Sequence, residues 1–177
     1  MLDLTPLTIE KIRRLKLLVL DVDGVLTDGR LFFDNQGNEY KCFHARDGLG
    51  LKLLRQSGVE IAVISGRSSN SVALRMQNLG ISTVYQGYEN KRAAFNEILD
   101  NLQLSAEQAA HVGDDLPDLP ILTRVGFAIA VQDANFIVKK YADWCTQLPG
   151  GQGAVREVCD LIMQVQGNFD ELLQTYL

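Results

Sequence analysis

Asp21 and Asp23 stand two residues apart, directly after the apolar run Leu17-Leu18-Val19-Leu20. An ordinary aspartate has a pKa near 3.9 and is ionised at neutral pH, so Asp21 can attack phosphorus without a base to activate it. Gly24 permits a turn that brings Asp23 to the same side of the chain. From there Asp23 can protonate a leaving oxygen and later deprotonate a water. Three further strand-like runs end in suitable groups: Ser65 after Ile61-Ala62-Val63-Ile64, Lys91 beyond Thr83-Val84-Tyr85, and Gly113-Asp114-Asp115 with Asp118 after Ala109-Ala110-His111-Val112. A phosphate dianion near two carboxylates is repelled, since like unit charges about 4 Å apart cost about 4 kcal/mol at an effective dielectric of about 20. Asp21 and Asp114 offer hard oxygens for Mg²⁺, which bridges to phosphate, while Lys91 and the Ser65 hydroxyl can hold phosphate oxygens. Nucleophile, acid, metal ligands, cation and hydroxyl together point to phosphoryl transfer. The same oxygen ligands accept Mn²⁺ or Co²⁺.

These groups need a scaffold that gathers strand ends. The short apolar runs, with Phe127-Ala128-Ile129-Ala130 as a fifth, alternate with amphipathic patterns over Gly48 to Gln56, Ser69 to Leu79 and Lys91 to Leu102. Continuous apolar strands alternating with helices predict an α/β fold, a three-layer doubly wound parallel sheet covered on both faces. In such sheets ligands bind outside the carboxyl ends of the strands, where Asp21, Ser65, Lys91 and Asp114 fall. Arg30 to Phe33 and Glu39 to Phe43 flank the turn-rich Asp34-Asn35-Gln36-Gly37-Asn38, which predicts a small β-hairpin insertion over about 29–44. From about Val155 to Leu172 the pattern predicts one amphipathic helix, preceded by Pro149-Gly150-Gly151-Gln152-Gly153. Asp47 is expected to cap the leucine-rich helix, and Arg67 and Arg75 to lie on one helix about 80° apart around it.

With 177 residues, the chain is expected to form a single domain over 1–177. Seventeen Lys and Arg against twenty-two Asp and Glu leave a net charge of -5, which argues against a partner that needs a basic field, nucleic acid or anionic membrane alike. Three widely spaced cysteines, Cys42, Cys145 and Cys159, form neither a zinc pattern nor an even set for disulfides, and are expected to be reduced thiols in a cytoplasmic protein. No signal-like start and no apolar run of membrane-spanning length stand in the sequence.

Asp21-Val22-Asp23-Gly24-Val25, Ser65, Lys91 and Gly113-Asp114-Asp115 with Asp118 together resemble the ordered four-motif set of the haloacid dehalogenase-like phosphohydrolases. The resemblance runs from Lys16 onward. It implies a Rossmannoid fold of that type, with the hairpin in place of a cap domain. Val25-Leu26-Thr27-Asp28-Gly29, the run from Phe43 to Gly50 and the run from Gly150 to Glu157 further resemble the 3-deoxy-D-manno-octulosonate 8-phosphate phosphatase family. Members of that family release the free eight-carbon sugar acid used in lipopolysaccharide assembly. The resemblance implies a small-molecule sugar-acid phosphate as substrate and a Mg²⁺ site built from the Asp21 carboxylate, the Asp23 main-chain carbonyl and the Asp114 carboxylate. It also implies a homotetramer in which neighbouring subunits close each site, the segment 148–177 completing an interface. Substrate contacts carry over onto Asp23, His44, Ala45, Arg46, Asp47, Gly48, Lys52, Arg67, Arg75 and Lys91.

Asp115 and Asp118 fit either a metal contact or a supporting role near a helix start, where acidic residues are stabilising. His111 is read as a satisfied core histidine. Two rival functions stand beside the phosphatase. One keeps the chemistry on a nine-carbon sialic-acid-type 9-phosphate. The other is a phosphoacceptor receiver domain, in which the acceptor Asp stands on a different strand from the acidic pair.

Overall fold

Leu17, Leu18, Val19 and Leu20 are all fully buried in the computed structural model, which describes residues 4–177. Alternate strand residues face opposite sides of a sheet, so burial of all four requires cover on both. Leu18 and Leu20 join a core with Ile12, Leu51, Leu54, Val72, Met76 and Ile162. Leu17 and Val19 join a second core with Ala94, Phe95, Ile98 and Ile121. The three layers follow from this double burial.

The chain runs α1 (Pro6–Arg13), β1 (Leu17–Leu20), β2 (Phe32–Phe33), β3 (Glu39–Tyr40), α2 (Ala45–Gln56), β4 (Glu60–Ser65), α3 (Asn70–Leu79), β5 (Thr83–Gln86), α4 (Lys91–Leu102), β6 (Ala109–Gly113), α5 (Leu119–Leu122), β7 (Phe127–Ala130), α6 (Phe136–Tyr141), β8 (Trp144–Cys145), α7 (Ala154–Gln166) and α8 (Phe169–Gln174). Six strands form one sheet in the order β5-β4-β1-β6-β7-β8, every neighbouring pair parallel. β1 therefore lies between β4 and β6, and Asp21 emerges between Ser65, the last residue of β4, and Asp114, the first after β6. β2 and β3 form the separate antiparallel hairpin that follows β1.

The expected fold class holds, with local corrections. α2 begins at Ala45 and its N-cap residue is His44, so Asp47 lies inside the first turn and does not cap it. The single helix expected over 155–172 is two, α7 and α8. The break comes at Gly167, where the Gly167 N–H bonds the Gln164 carbonyl at 3.2 Å and the Asn168 N–H bonds that of Met163 at 3.0 Å. Arg67 precedes α3, so the shared-helix geometry expected for Arg67 and Arg75 does not exist. The single domain expected over 1–177 is described from residue 4; residues 1–3 lie outside the described part.

The Gly150-Gly151 turn packs directly on the loop after β1. The Gly151 N–H bonds the Val25 carbonyl at 2.9 Å, and a side chain at Gly150 would collide with the Gly24 carbonyl. No helix among the described residues is long and apolar enough to cross a membrane.

Candidate active site

An open crevice of about 310 Å³ lies at the carboxyl ends of the strands, lined by Asp21, Asp23, Gly29, Ser65, Gly66, Arg67, Lys91, Asp114, Asp115 and Pro117. The parallel register delivers these groups, because each follows the same end of a neighbouring strand. Lys91 sits at the first residue of α4, where a cation opposes the helix dipole. It is nevertheless 3% exposed, its Nζ 2.8 Å from Asp21 Oδ1 and 2.8 Å from Asp118 Oδ1. Burial alone would lower its pKa, but the charges of Asp118 and Asp21 outweigh that and hold the ammonium above its ordinary value. Ser65 Oγ accepts a 3.2 Å hydrogen bond from the Arg67 N–H. A hydroxyl both donates and accepts, so its own O–H is available to a phosphate oxygen.

The carboxylates are crowded. Asp21, Asp114 and Asp118 each bring an oxygen within 4.8 Å of the others. Burial, followed by the charge of Asp118, pushes the Asp21 carboxyl up to about 6 against the pull of Lys91. Burial and the charges of Asp118, Asp21 and Asp115 push Asp114 up to about 8. Two carboxylates that resist ionisation for want of positive charge are a donor set that a divalent cation fits. Asp118 differs. Its Oδ2 accepts from the main-chain N–H of Asp114 (3.0 Å) and of Asp115 (3.4 Å), and its Oδ1 faces Lys91 and His111. With both oxygens engaged by the protein, Asp118 braces the loop that carries Asp114 and Asp115. Asp115 Oδ1 accepts from the Leu116 N–H at 2.8 Å and caps the short turn that follows.

Asp23 meets a residue that sequence reasoning missed. The Lys41 ammonium pairs with Asp23 Oδ1 and lies 2.8 Å from Glu39 Oε1, its side chain only 2% exposed. Arg67 closes the group, 3.2 Å from Glu39 Oε2 and 3.9 Å from Asp23 Oδ2. The available signal was the alternation Glu39, Lys41, Phe43 in the run expected as the second hairpin strand, of which only Glu39–Tyr40 pairs as β3.

Gly24 is needed twice over. Its φ is +89°, a conformation L side chains rarely adopt, and a Cβ there would collide with the Asp114 carboxylate. Gly24→Ala is therefore expected to leave a folded chain, by circular dichroism, with turnover down at least about 100-fold, the usual cost of misplacing reacting groups by about 1 Å. Wild-type turnover would show that the loop tolerates the displacement.

The remaining expected contacts do not line this crevice. Ala45, Arg46 and Lys52 are exposed along α2, while His44 is half-buried. Asp47 is 2% exposed and accepts from the Arg156 N–H at 2.8 Å, tying α2 to the start of α7, and burial raises its pKa despite that bond. Arg75 packs its guanidinium against Gly48 and 5.9 Å from the Phe43 ring centroid.

Comparison with known proteins points to the same class of hydrolase. The haloacid dehalogenase-like hydrolase family matches residues 84–156. The chain is 46% identical over 163 residues to the 3-deoxy-D-manno-octulosonate 8-phosphate phosphatase of Escherichia coli K12, spanning 92% of this chain and 87% of that protein. A crystal structure of the phosphatase of that name from Moraxella catarrhalis, in complex with magnesium ion, phosphate ion and KDO molecule, superposes with a TM-score of 0.94 at 41% identity, covering 96% of this chain and 98% of that one. The cobalt-bound form of the Haemophilus influenzae phosphatase superposes at 0.87 with 42% identity, covering 90% and 93%. Likeness of this extent to hydrolases leaves no place for the receiver-domain reading.

Proposed function

The chain belongs to the haloacid dehalogenase-like hydrolases, and from that membership we propose that it hydrolyses 3-deoxy-D-manno-octulosonate 8-phosphate to the free sugar acid and phosphate. The observation that carries the chemistry is Lys91 Nζ at 2.8 Å from Asp21 Oδ1, with the Asp114 carboxyl beside them in the same crevice. The relatives named above carry the substrate.

In this reading Asp21 attacks the phosphorus and becomes an aspartyl-phosphate while the sugar oxygen leaves. Asp23 gives that oxygen a proton, then takes one from the water that releases phosphate. Lys91 and the Ser65 hydroxyl hold the non-bridging oxygens as charge develops on them. A magnesium ion held by the carboxylates of Asp21 and Asp114 and the carbonyl of Asp23 supplies the positive charge that offsets repulsion between substrate and nucleophile. Steady-state kcat/KM for the eight-carbon 8-phosphate against a nine-carbon sialic-acid-type 9-phosphate tests the substrate. A higher value for the nine-carbon compound would reassign it.

We propose further that the working form is a homo-oligomer, a tetramer, that encloses the crevice. Leu31, Phe32, Phe33 and Tyr40 of the hairpin are 48–57% exposed, an apolar tip with the character of an interface. His44, Ala45, Arg46, Lys52 and Arg75 stand away from their own chain's crevice, so their contact with substrate requires a neighbouring subunit, whereas Asp47 and Gly48 are buried within their own chain. The segment 148–177 takes part in that contact. Co-expressing Asp21→Asn and Arg46→Ala chains, each inactive alone, is expected to restore about one quarter of wild-type activity in symmetric mixed oligomers. No recovery would mean that Arg46 serves its own chain or none. The free thiols Cys42, Cys145 and Cys159 suit the reducing cytoplasm expected for the protein.

A further inference from the structure

The Asp23 side chain takes its support from outside its own loop. Among the described residues the Lys41 ammonium is the one hydrogen-bond donor that reaches it, at Oδ1, and Oδ2 has no hydrogen-bond partner. Lys41 comes from the hairpin. The Asp34 carboxylate ties off the hairpin turn, its Oδ1 accepting from the Gln36 N–H at 2.9 Å and the Asn38 N–H at 2.8 Å. Phe33 pairs with Glu39 and Phe32 with Tyr40 across that turn. An extended chain alternates its faces, so Glu39, Lys41 and Phe43 turn inward while Tyr40 and Cys42 stay exposed. Glu39 then bridges two cations, its Oε1 2.8 Å from Lys41 Nζ and its Oε2 3.2 Å from Arg67 Nη2. Arg67 Nε lies 3.9 Å from Asp23 Oδ2, which closes a ring of two carboxylates and two cations. Asp23 and Arg67 line the crevice, and Lys41 and Glu39 stand behind them.

We propose that Lys41 is a positioning residue for the reaction: by holding Asp23 Oδ1 it fixes the side-chain rotamer that leaves Oδ2 to serve the leaving group and the water. Glu39 is its partner in this, because it holds the Lys41 ammonium and the Arg67 guanidinium in place together. The catalytic meaning rests on the phosphatase reading; what holds Asp23 does not. A surface lysine keeps its rotamer freedom, but this side chain is only 2% exposed and has lost it. Its ammonium is therefore a fixed point against which a carboxylate can be aimed. Without that point Asp23 is free to sample other staggered rotamers, and only some of them reach the sugar oxygen.

The leaving group separates aiming from mere scaffolding. The alkoxide of a sugar phosphate needs a proton as it departs, whereas the phenolate of p-nitrophenyl phosphate leaves without one. With saturating Mg²⁺, Lys41→Met is expected to lower kcat/KM about 30-fold for 3-deoxy-D-manno-octulosonate 8-phosphate and no more than about threefold for p-nitrophenyl phosphate, a share of the roughly 100-fold to 10⁴-fold that a positioned acid supplies. Equal losses on both substrates would make Lys41 a prop of the hairpin and overturn the proposal, as would no loss on either. In an Asp23→Asn background Lys41→Met is expected to add almost nothing for the sugar phosphate; additive losses would show that it acts elsewhere. A crystal structure of the Lys41→Met protein is the arm that needs no activity. Asp23 is expected in a changed or mixed rotamer, and an unmoved carboxylate would overturn the positioning. If Lys41→Met does not fold, Glu39→Gln takes the same tests, with the same split between substrates and a loss of about tenfold on the sugar phosphate. Wild-type protein that cleaves p-nitrophenyl phosphate alone would sink the substrate reading, and an alkyl phosphate that it does cleave then replaces the sugar phosphate. Inactivity on every phosphate would sink the phosphatase reading, while the rotamer would still decide what holds Asp23.

Discussion

Asp21→Asn abolishes turnover, with kcat expected to fall at least about 10⁴-fold, the scale of loss when a covalent nucleophile is removed. The amide keeps the shape of the carboxylate and an oxygen for Lys91, so the loss measures nucleophilicity and not collapse of the crevice. The same substitution should raise the melting temperature of the metal-free protein by several degrees at pH 8. Asp21 is buried beside Asp118, and its ionised form is disfavoured in the fold, as a carboxyl pushed up to about 6 records. Removing one of three crowded carboxylates relieves that penalty. Retained turnover would remove Asp21 from the mechanism. A lower melting temperature would mean that the Lys91 pair outweighs the crowding.

Removing the divalent ion is the second large effect. Chelation is expected to cut turnover by at least about 10³-fold, since a metal's charge stabilisation is worth several kcal/mol and about 1.36 kcal/mol corresponds to tenfold. It should also expose a pH-dependent stability. In the metal-free fold Asp21 titrates at about 6 and Asp114 at about 8, against an ordinary 3.8 for both. The folded state therefore binds more protons than the unfolded state between about pH 4 and pH 8. Stability from these groups is complete below about pH 4 and drains away as pH rises through that window. Asp118, held low, titrates beneath it and leaves the slope intact. Thermal melts from pH 5 to 8.5 should fall steadily in chelator and flatten under saturating Mg²⁺. A flat or rising metal-free curve would contradict the crowding of the carboxylates.

The central strands β1, β4 and β6 were legible because each is a short apolar run closed by Asp, Ser or Gly, and a parallel sheet buries such runs on both faces. β1 and α4 begin and end where their patterns do. The four strand-end groups were legible for the same reason, their positions following from topology once strand order is granted. Other features depend on partners far along the chain. Asp47 reads locally as a cap, yet its carboxyl is committed to the Arg156 N–H, 109 residues away. Lys41 looks like a surface lysine until the hairpin folds back onto Asp23. His111 has the neighbours of a core residue, and its Nε2 meets Asp118 Oδ1 at 3.1 Å only once β6 and the turn after it are folded. β8 is two residues long, too short for any periodicity.

The seating of Gly150-Gly151 on the loop after β1 bears on how this protein comes into being. Asp21 leaves the ribosome early, but one flanking strand of β1 is β6 and the turn that buttresses Gly24 comes at residues 150 and 151. A nascent chain arrested before that point lacks the pieces that set the nucleophile, and such long-range pairing is slow to form. Competence therefore arrives in one late step of synthesis. Truncation upstream of that glycine pair keeps all six strands, since β8 ends at Cys145, but removes the turn under Gly24 and α7, whose Val155, Val158 and Ile162 belong to the core that covers one face of the sheet.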